Sequence, residues 1–350
     1  MSEFANRLLD WHRAHGRHDL PWQGTRDAYR IWLSEIMLQQ TQVDTVIPYY
    51  QRFLERFPDL ASLAAAPVEA VMALWSGLGY YARARNLHKC AQAVVARHGG
   101  QFPGRAGEIA TLPGIGRSTA AAISAFSNGE SVAILDGNVK RVLCRVYGID
   151  GFPGARSVEN RLWALAASLL PERDTGTYIQ AQMDLGATVC SRAKPACGRC
   201  PVATLCVARR DGRIGELPSA RPRKAVRKRS ARFAVILTGD AVLLERRPPS
   251  GIWGGLLALP EIPEDDDPTS WAAQRYGLAI VGHRPLAPLR HAFTHFTLEI
   301  EPQLMHAIAA APGCADDGPV WQALDRLADA ALPTPVRRIL EALPPELGQL

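Results

Sequence analysis

Two carboxyl groups lie in sequence contexts that suit acid–base chemistry. Glu35 lies in the run Trp32-Leu33-Ser34-Glu35-Ile36-Met37-Leu38, whose apolar residues recur with helical periodicity. At about 3.6 residues per turn, Glu35 shares a helix face with Ile31 and Leu38, beside an apolar stripe. Burial there would raise its pKa and keep it protonated. The alternative is a glutamate at the exposed rim of the helix, because Glu is rarely buried.

The second carboxyl group, Asp136, follows the apolar run 132–135 and precedes a helical pattern. This is an N-cap position, where backbone N–H groups and the helix dipole favour the ionised form. An ionised carboxylate can stabilise positive charge that develops on a sugar, while a protonated Glu35 donates a proton. The alternative role for Asp136 is capping alone.

Four of the seven cysteines form a compact group with the spacing C-x6-C-x2-C-x5-C. They are Cys190, Cys197, Cys200 and Cys206. In a reducing compartment such a group indicates a metal site and not disulfides. Four thiolates suit a structural zinc ion and a [4Fe–4S] cluster equally well, so the spacing leaves both open.

The run Leu112-Pro113-Gly114-Ile115-Gly116-Arg117-Ser118 predicts a tight turn that opens a helix. Gly114 and Gly116 would leave backbone N–H groups accessible at the helix N-terminus, which suits an anion such as a DNA phosphate. An ordinary corner between two helices is the alternative.

These residues must be positioned by a mainly helical first part, because helical patterns cover nearly all of residues 8–208. Helices are predicted at 29–37, 68–74, 82–97, 118–126, 139–147 and 158–170. Residues 221–232 then hold seven Arg or Lys and no acid, which is typical of a linker. That run is either a solvated tether or a contact to DNA phosphates.

Beyond the basic run, the patterns change to those of a smaller α+β domain. Strands are predicted at 233–238, 241–246 and 296–300, and helices at 271–276 and 335–343. A chain of 350 residues that is 47% apolar and 21% charged fits two or three globular domains. The net charge of +6 is compatible with a polyanionic partner. Lacking a long apolar run or a signal-peptide pattern, the chain is expected to be a cytoplasmic protein that does not enter a membrane.

Longer strings of sequence carry a resemblance to a known family. They are Leu20-Pro21-Trp22, the run from Trp32 to Gln42, Gly77-Leu78-Gly79-Tyr80-Tyr81-Ala82-Arg83, the glycine turn, Ile134-Leu135-Asp136-Gly137-Asn138-Val139-Lys140-Arg141 and the four cysteines. In this order they resemble the MutY family of adenine-DNA glycosylases, within the helix-hairpin-helix glycosylase superfamily. The resemblance covers nearly the whole chain.

The resemblance implies a role for each matching residue. Glu35 would protonate N7 of a flipped-out adenine, Asp136 would stabilise the oxocarbenium-like sugar, and Asn138 would hold the reacting groups. Trp22, Gln180 and Ser118 would line the adenine pocket. Tyr80 and Gln40 would act as a wedge in the base stack, with Leu38 and Thr41 as their neighbours. A core aromatic is the alternative role for Tyr80.

Ser118 defines the subclass that the resemblance implies. Related glycosylase/lyases of the endonuclease III type carry a lysine here that forms a Schiff base, and a serine cannot form an imine. The enzyme is therefore expected to be monofunctional. The family's cofactor is a [4Fe–4S] cluster, which favours iron–sulfur over zinc at the four cysteines.

The C-terminal part resembles the family's Nudix-like domain, which recognises 8-oxoguanine. The segment 290–296 matches its lesion-reading loop, with Phe293, Thr294 and His295 as contact residues. The family usually has serine where this chain has Thr294, so the hydroxyl is kept and a methyl group is added. An ordinary strand with an inward phenylalanine is the alternative. Residues 271–277 lack the acids of a hydrolytic Nudix box.

The expected architecture is an all-α helix-hairpin-helix core with an iron–sulfur loop, followed by a C-terminal α+β Nudix-like domain. Residues 22–130 would form a six-helix barrel, 1–21 with 131–210 the cluster lobe, 211–231 the basic linker, and 232–350 the recognition domain. The expected partner is double-stranded DNA with adenine opposite 8-oxoguanine or guanine, bound by a monomer.

Three other functions remain open. A pyrimidine-lesion glycosylase/lyase is disfavoured by Ser118 and by the additional domain. A DNA-binding protein without activity is disfavoured by the pair Glu35 and Asp136. A Nudix hydrolase with an accessory DNA domain is disfavoured by the missing acids.

Overall fold

The computed structural model describes residues 2–222, 227–248, 251–293, 296–308 and 318–344. Their contacts divide the chain into two compact units. The helical unit comprises Met1–Ala66 and Asn86–Arg223, and the sheet unit comprises Pro67–Arg85 and Lys224–Leu350. The chain therefore enters the sheet unit twice.

The helical unit and the short segment 67–85 contain helices α1 to α12. Their bounds are α1 Glu3–His15, α2 Ala28–Met37, α3 Val43–Arg56, α4 Leu60–Ala65, α5 Val68–Leu74, α6 Ala82–His98, α7 Ala106–Ile109, α8 Arg117–Asn128, α9 Gly137–Tyr147, α10 Arg156–Ser168, α11 Thr175–Asp184 and α12 Val207–Arg210. A π-helical turn, Leu185–Val189, continues α11, and a 3-10 turn covers Cys197–Arg199.

One apolar core packs helix α1 against helices that come more than 100 residues later in the chain. Phe4, Leu8 and Leu9 of α1 are buried together with residues of α8, α9, α10 and α11. Burying such side chains contributes roughly 1.5–3 kcal/mol each. The start of α9 and the start of α8 are thereby fixed within a single packed body, which is what a rigid site requires.

The sheet unit contains a mixed sheet, a 3-10 turn and two further helices. The strands are β1 Arg227–Thr238, β2 Ala241–Arg246, β3 Leu257–Ala258, β4 Glu261–Ile262, β5 Ala279–Pro285, β6 Leu289–Ala292, β7 Phe296–Ile308 and β8 Val320–Ala323. The helices are α13 Pro268–Tyr276 and α14 Thr334–Glu341, and the 3-10 turn is Leu324–Asp329.

The sheet has the strand order β3-β2-β1-β7-β5, with β4 on β1, β6 on β7 and β8 on β2. β1 and β7 run parallel, from the pair Arg227 and Phe296 to the pair Leu237 and His306, and the other pairings are antiparallel. Trp271 and Ala272 of α13 pack on Ala234, Ile236 and Met305 of the sheet. This confirms the predicted fold class, a helical part followed by an α+β part.

The first strand begins earlier than the sequence predicts, at Arg227 and not at Phe233. Its first residues are charged and exposed, so their own composition resembles a linker. Pairing with β7, about 70 residues later in the chain, supplies the hydrogen bonds that make this stretch a strand. Pairing between residues this far apart in the chain cannot be predicted from the local sequence.

Within the described ranges, the helices are all too short or too polar to cross a membrane.

Candidate active site

Glu35 lies near the end of α2 and lines a cavity of about 600 Å³ in the helical unit. Its side chain is half-buried, which confirms the interpretation that places it away from the exposed rim. Burial, and to a lesser extent the negative charge of Asp136, raises the pKa of Glu35 to about 8. At neutral pH Glu35 is therefore an uncharged proton donor.

Asp136 is the N-cap of α9, as the sequence predicts, and its Oδ1 accepts a hydrogen bond of 2.7 Å from the Val139 N–H. Burial nevertheless raises the pKa of Asp136, although the helix N–H groups, Arg141 and Lys140 act to lower it. The helix N-terminal donors are visible in the sequence, whereas the burial that opposes ionisation of Asp136 is a property of the packed structure. Because the charge on Asp136 is one of the causes that raise the pKa of Glu35, an ionised Asp136 favours the protonated form of Glu35.

Two other expected pocket residues line the same cavity as Glu35. Trp22 is almost fully buried, and its ring lies edge-on to Tyr50 with centroids 5.4 Å apart. Gln180 of α11 also lines this cavity, and its Nε2 donates to Asp184 Oδ1 at 2.9 Å. A carboxylate only accepts, so this bond fixes the amide with its NH₂ toward Asp184.

Asp184 is a site residue that the sequence analysis missed. It is fully buried, and it accepts hydrogen bonds from the Arg17 backbone N–H at 2.8 Å and from the Arg17 guanidinium at 2.6 and 2.9 Å; His12 Nε2 lies 3.3 Å from Asp184 Oδ2. Although burial acts to raise it, the pKa of Asp184 lies below its usual range because His12 and Arg17 stabilise the charge. The available signal was an acid four residues after Gln180, on the same face of one helix.

Asn138 is held by α9 and by the π-helical turn. Its Oδ1 accepts from Arg141 Nη2 at 2.8 Å, and the same nitrogen donates to the Gly186 carbonyl at 2.7 Å. A Cβ on Gly186 would lie 2.5 Å from the Asn138 Cβ, so only glycine fits there. Arg141 Nε also donates to the Cys190 carbonyl at 2.7 Å, which connects Asn138 to the start of the cysteine loop.

Ser118, the second residue of α8, accepts a hydrogen bond of 3.0 Å from the Leu135 N–H. It thereby supports the residue that directly precedes Asp136. Ser118 and Asp136 are not among the described residues that line the cavity. The glycine turn before α8 has the predicted form, with Gly116 as N-cap and Gly114 at φ 76°. A Cβ on Gly114 would also meet the Asn86 Cβ at 2.6 Å.

The four cysteines line one small cavity together with apolar side chains that include Val142, Leu185 and Val202. Arg145 is almost fully buried beside them, and its Nη1 donates to Cys190 Sγ at 3.4 Å. Burial raises the pKa of the Cys200 thiol to about 11. Within the described residues, no three His, Cys, Asp or Glu side chains are close enough together to hold a single metal ion.

Comparison with known proteins gives two family models. Residues 33–168 match the HhH-GPD superfamily of base excision DNA repair proteins, and residues 232–342 match the NUDIX domain. An adenine DNA glycosylase from Buchnera aphidicola subsp. Schizaphis graminum is 35% identical over 340 residues, which are 97% of this chain and 98% of the relative. The mouse adenine DNA glycosylase is 34% identical, over 97% of this chain and 77% of the relative. The chain belongs to the adenine DNA glycosylase family.

Solved structures of other DNA glycosylases share the fold of the helical part of this chain. A thermostable thymine-DNA glycosylase has a TM-score of 0.54 and 29% identity, and covers 59% of this chain and 95% of its own. A non-covalent endonuclease III–DNA complex has a TM-score of 0.52 at 20% identity over 60% of this chain and 94% of its own, which shows a common fold. The expected fold class, a helix-hairpin-helix glycosylase core with a C-terminal Nudix-like domain, is thereby confirmed, and the curated relatives confirm the expected enzyme class.

Three of the expected wedge residues of this adenine DNA glycosylase family member follow α2. Leu38 caps the helix, and its N–H donates to the Ser34 carbonyl at 2.9 Å. Gln40 is exposed and has a left-handed backbone with φ 59°. Thr41 is half-buried, and its N–H donates to the Leu38 carbonyl at 3.3 Å. Tyr80 also has a positive φ, 51°, and is 50% exposed, which excludes a core position.

Phe293 lies at the end of β6, where its ring stacks on Phe296 with centroids 4.5 Å apart and contacts Trp253 at 6.0 Å. Its N–H donates to the Phe296 carbonyl at 2.8 Å, next to the antiparallel pairing of β6 with β7. Thr294 and His295 lie outside the described residues. Nearby, α13 contains no Asp or Glu, which agrees with the absence of a hydrolytic Nudix box in that segment.

Proposed function

We propose that this chain hydrolyses the N-glycosidic bond of adenine that lies opposite 8-oxoguanine or guanine in double-stranded DNA. The observation that carries the proposal is Glu35, whose pKa of about 8 makes it an acid at neutral pH, in a cavity of about 600 Å³. Trp22 and Gln180 line the same cavity. A flipped-out base is bound in this way by other base-modifying enzymes.

Glu35 donates its proton to N7 of the adenine. The bond between C1′ and N9 then breaks, and its electron pair leaves with the neutral base. Asp136, ionised, stabilises the positive charge on the sugar, and water adds at C1′ while losing a proton to the Glu35 carboxylate, which restores the acid. Asn138, fixed by Arg141, keeps the start of α9 in place beside the reacting sugar.

Gln180 and Trp22 recognise the base. Because the Gln180 NH₂ group is committed to Asp184, the carbonyl oxygen is available to accept from the exocyclic amine of adenine. Trp22 offers an aromatic face or edge for packing against the base. The proposed pocket thus presents the Gln180 oxygen to the exocyclic amine of adenine and the Glu35 acid to N7, two groups on the same edge of the base.

We further propose that the enzyme is monofunctional. Ser118 occupies the position at which related lyases carry a lysine, and its hydroxyl is engaged with the Leu135 N–H. A hydroxyl cannot form an imine with C1′, so the strand is left intact after base removal.

The cysteine loop is proposed to hold a [4Fe–4S] cluster. Four soft sulfur donors, an apolar cavity and the buried guanidinium of Arg145 fit a buried, negatively charged thiolate cluster. Cys190, Cys197, Cys200 and Cys206 would be the ligands, and the cluster would keep the loop folded. Purified protein should contain about four irons per chain and be yellow-brown; stoichiometric zinc after anaerobic preparation would contradict the assignment.

DNA contacts are proposed for the glycine turn and the wedge. Gly114 and Gly116 are exposed, and the α8 N-terminus presents backbone N–H groups suited to a phosphate. Leu38, Gln40, Thr41 and Tyr80 would fill the stack near the lesion. Phe293, Thr294 and His295 would contact 8-oxoguanine, and one chain would bind one site.

The proposed activity is tested with end-labelled duplexes that carry adenine opposite 8-oxoguanine, analysed with and without alkali. Strand cleavage only after alkali supports adenine removal without lyase activity. Cleavage without alkali would contradict the monofunctional proposal, and no adenine release would contradict the function itself.

A further inference from the structure

The turn that presents Tyr80 contains three residues with a positive φ. Gly77 and Gly79 have φ values of 93° and 74°, and Tyr80 itself has φ 51°. A left-handed conformation at a bulky residue is strained and persists only where the surroundings fix it. The exposed Tyr80 ring therefore depends on whatever holds residues 76–81, which we call the Tyr80 turn.

Part of that support comes from neighbours in the chain. Trp75 Nε1 donates to the Gly79 carbonyl at 3.2 Å. Arg83 Nη2 donates to the carbonyls of Leu78 and Gly79 at 3.2 and 3.1 Å, and its guanidinium lies 5.6 Å from the centre of the Tyr80 ring. These contacts set the local shape of the turn.

The remaining support comes from residues about 250 positions later, within the same sheet unit. The buried Tyr81 hydroxyl donates to the Leu332 carbonyl at 3.1 Å and accepts from the Gly77 N–H at 3.2 Å. Arg337 of α14 donates to Ser76 Oγ at 3.2 Å. Both ends of the Tyr80 turn are thus bonded to the segment around α14.

A third bond connects the same stretch to the proposed lesion reader. Arg85 Nη1 donates to the carbonyl of Gly254, the residue after Trp253. Trp253 packs against Phe293 and His291. Arg85, four residues after the Tyr80 turn, and the pair His291 and Phe293 therefore contact one loop of the sheet unit.

We propose that Tyr81 and Arg337 are positioning residues, through which the C-terminal part of the chain fixes Tyr80 at its place on the DNA. The inference rests on the proposed DNA contact of Tyr80. The C-terminal part then contributes to the opening of the base stack through Tyr80, in addition to reading the lesion directly.

The test uses full-length Tyr81→Phe and Ser76→Ala, which remove a hydroxyl each and leave the internal bonds of Arg337 to the Leu327 and Ala330 carbonyls in place. Tyr276→Phe is the matched control, because it also removes a tyrosine hydroxyl from the sheet unit. That hydroxyl donates to Glu245, which is not part of the Tyr80 turn. Each is measured alone and combined with Tyr80→Ala, by single-turnover excision from an 8-oxoguanine:adenine duplex.

Tyr81→Phe is expected to slow excision by about tenfold, the effect of one lost hydrogen bond, and to have little further effect in the Tyr80→Ala background. Ser76→Ala should act in the same direction and Tyr276→Phe should leave the rate unchanged. An equal loss with and without Tyr80 would mean general destabilisation and would overturn the inference. A Tyr81→Phe rate equal to wild type would also overturn it, while the glycosylase proposal would stand.

A second measurement does not depend on activity. Amide hydrogen exchange of residues 77–81 should accelerate by about tenfold in Tyr81→Phe and stay at the wild-type rate in Tyr276→Phe. Unchanged exchange in the double variant Tyr81→Phe/Ser76→Ala would overturn the positioning role even if the wild-type chain excised no adenine.

Discussion

At the scale of single residues, the proton on Glu35 decides what the site can do. Replacing Glu35 with Gln keeps the shape of the side chain and removes the acid. We expect single-turnover adenine excision to fall by about 10²–10⁴-fold, the usual contribution of general acid catalysis, with lesion-duplex binding changed by only several-fold. A near-normal rate would show that another group is the acid.

The same substitution should also change how the free energy of unfolding depends on pH. This measurement distinguishes the loss of the acid from a loss of stability. The pKa of Glu35 is about 8 in the folded chain and near 4.5 in the unfolded chain. The folded state therefore binds the extra proton between these values, and the free energy of unfolding falls as pH rises from about 4.5 to about 8. Glu35→Gln should lack this fall, as measured by denaturant unfolding across that range.

The pH profile of excision follows from the same pair. Protonated Glu35 is the active form, so the wild-type rate should be retained below about pH 8 and decline above it. On the acid side, the rate should be lost as Asp136 takes up a proton, above the usual range of an aspartate because burial raises its pKa. A single-turnover rate that stays flat from pH 6 to pH 9.5 would contradict the assignment of Glu35.

Ser118→Lys tests the proposed subclass. The new amine should form an imine with C1′ after base loss, so borohydride should trap a covalent complex on an 8-oxoguanine:adenine duplex. The Leu135 N–H would lose its acceptor, which costs about 1–3 kcal/mol of stability. Intact excision without any trapped complex would show that residue 118 does not reach the sugar.

At the scale of elements, the π-helical turn after α11 leaves room for the start of α9. Gly186→Ala would place a methyl group 2.5 Å from the Asn138 Cβ, so either Asn138 or the turn must move. We expect a loss of excision of about 10²-fold, since small displacements of reacting groups are costly. Gly107→Ala is the control, because its new Cβ meets no atom within 4 Å. Equal rates for both variants would show that Asn138 tolerates displacement.

The elements also show how far sequence reasoning reaches. The start of α8 after the glycine turn and the N-cap Asp136 were predictable, because caps and turns depend on neighbouring residues. Local patterns could not predict the first residues of β1, the hydrogen-bond partners of Asp184 or the hydrogen bond from Tyr81 to Leu332. Each of these depends on residues far apart in the chain. The rise in the pKa of Asp136 was missed for the same reason, because burial is a property of the packed structure.

At the scale of the whole molecule, removing the C-terminal part should do more than remove the lesion reader. A chain that ends at residue 221 keeps Glu35, Asp136 and the cysteines but loses Leu332 and Arg337. We expect slower excision from both 8-oxoguanine:adenine and guanine:adenine duplexes through the Tyr80 turn, with a further loss of about 1–3 kcal/mol in binding for the 8-oxoguanine duplex.

The comparison requires rates and dissociation constants for both duplexes at one salt concentration, because phosphate contacts are strongly salt-dependent. The full-length double variant Phe293→Ala/Thr294→Ala is the control, and it should reproduce only the loss specific to 8-oxoguanine. A truncated chain as fast as full-length protein on the guanine:adenine duplex would contradict the wider role of the C-terminal part.

The bond between Gln180 and Asp184 bears on a problem that every base-removing enzyme meets, which is to leave undamaged DNA alone. Guanine carries a carbonyl oxygen where adenine carries its amine. One N–H of the Gln180 amide is held by a buried carboxylate, and the oxygen proposed to accept from the amine of adenine would repel the carbonyl oxygen of guanine. Rotating the amide would bring two oxygens together at Asp184, in a place that water does not reach. In the proposed pocket, Asp184 would therefore disfavour the binding of guanine without contacting the base itself.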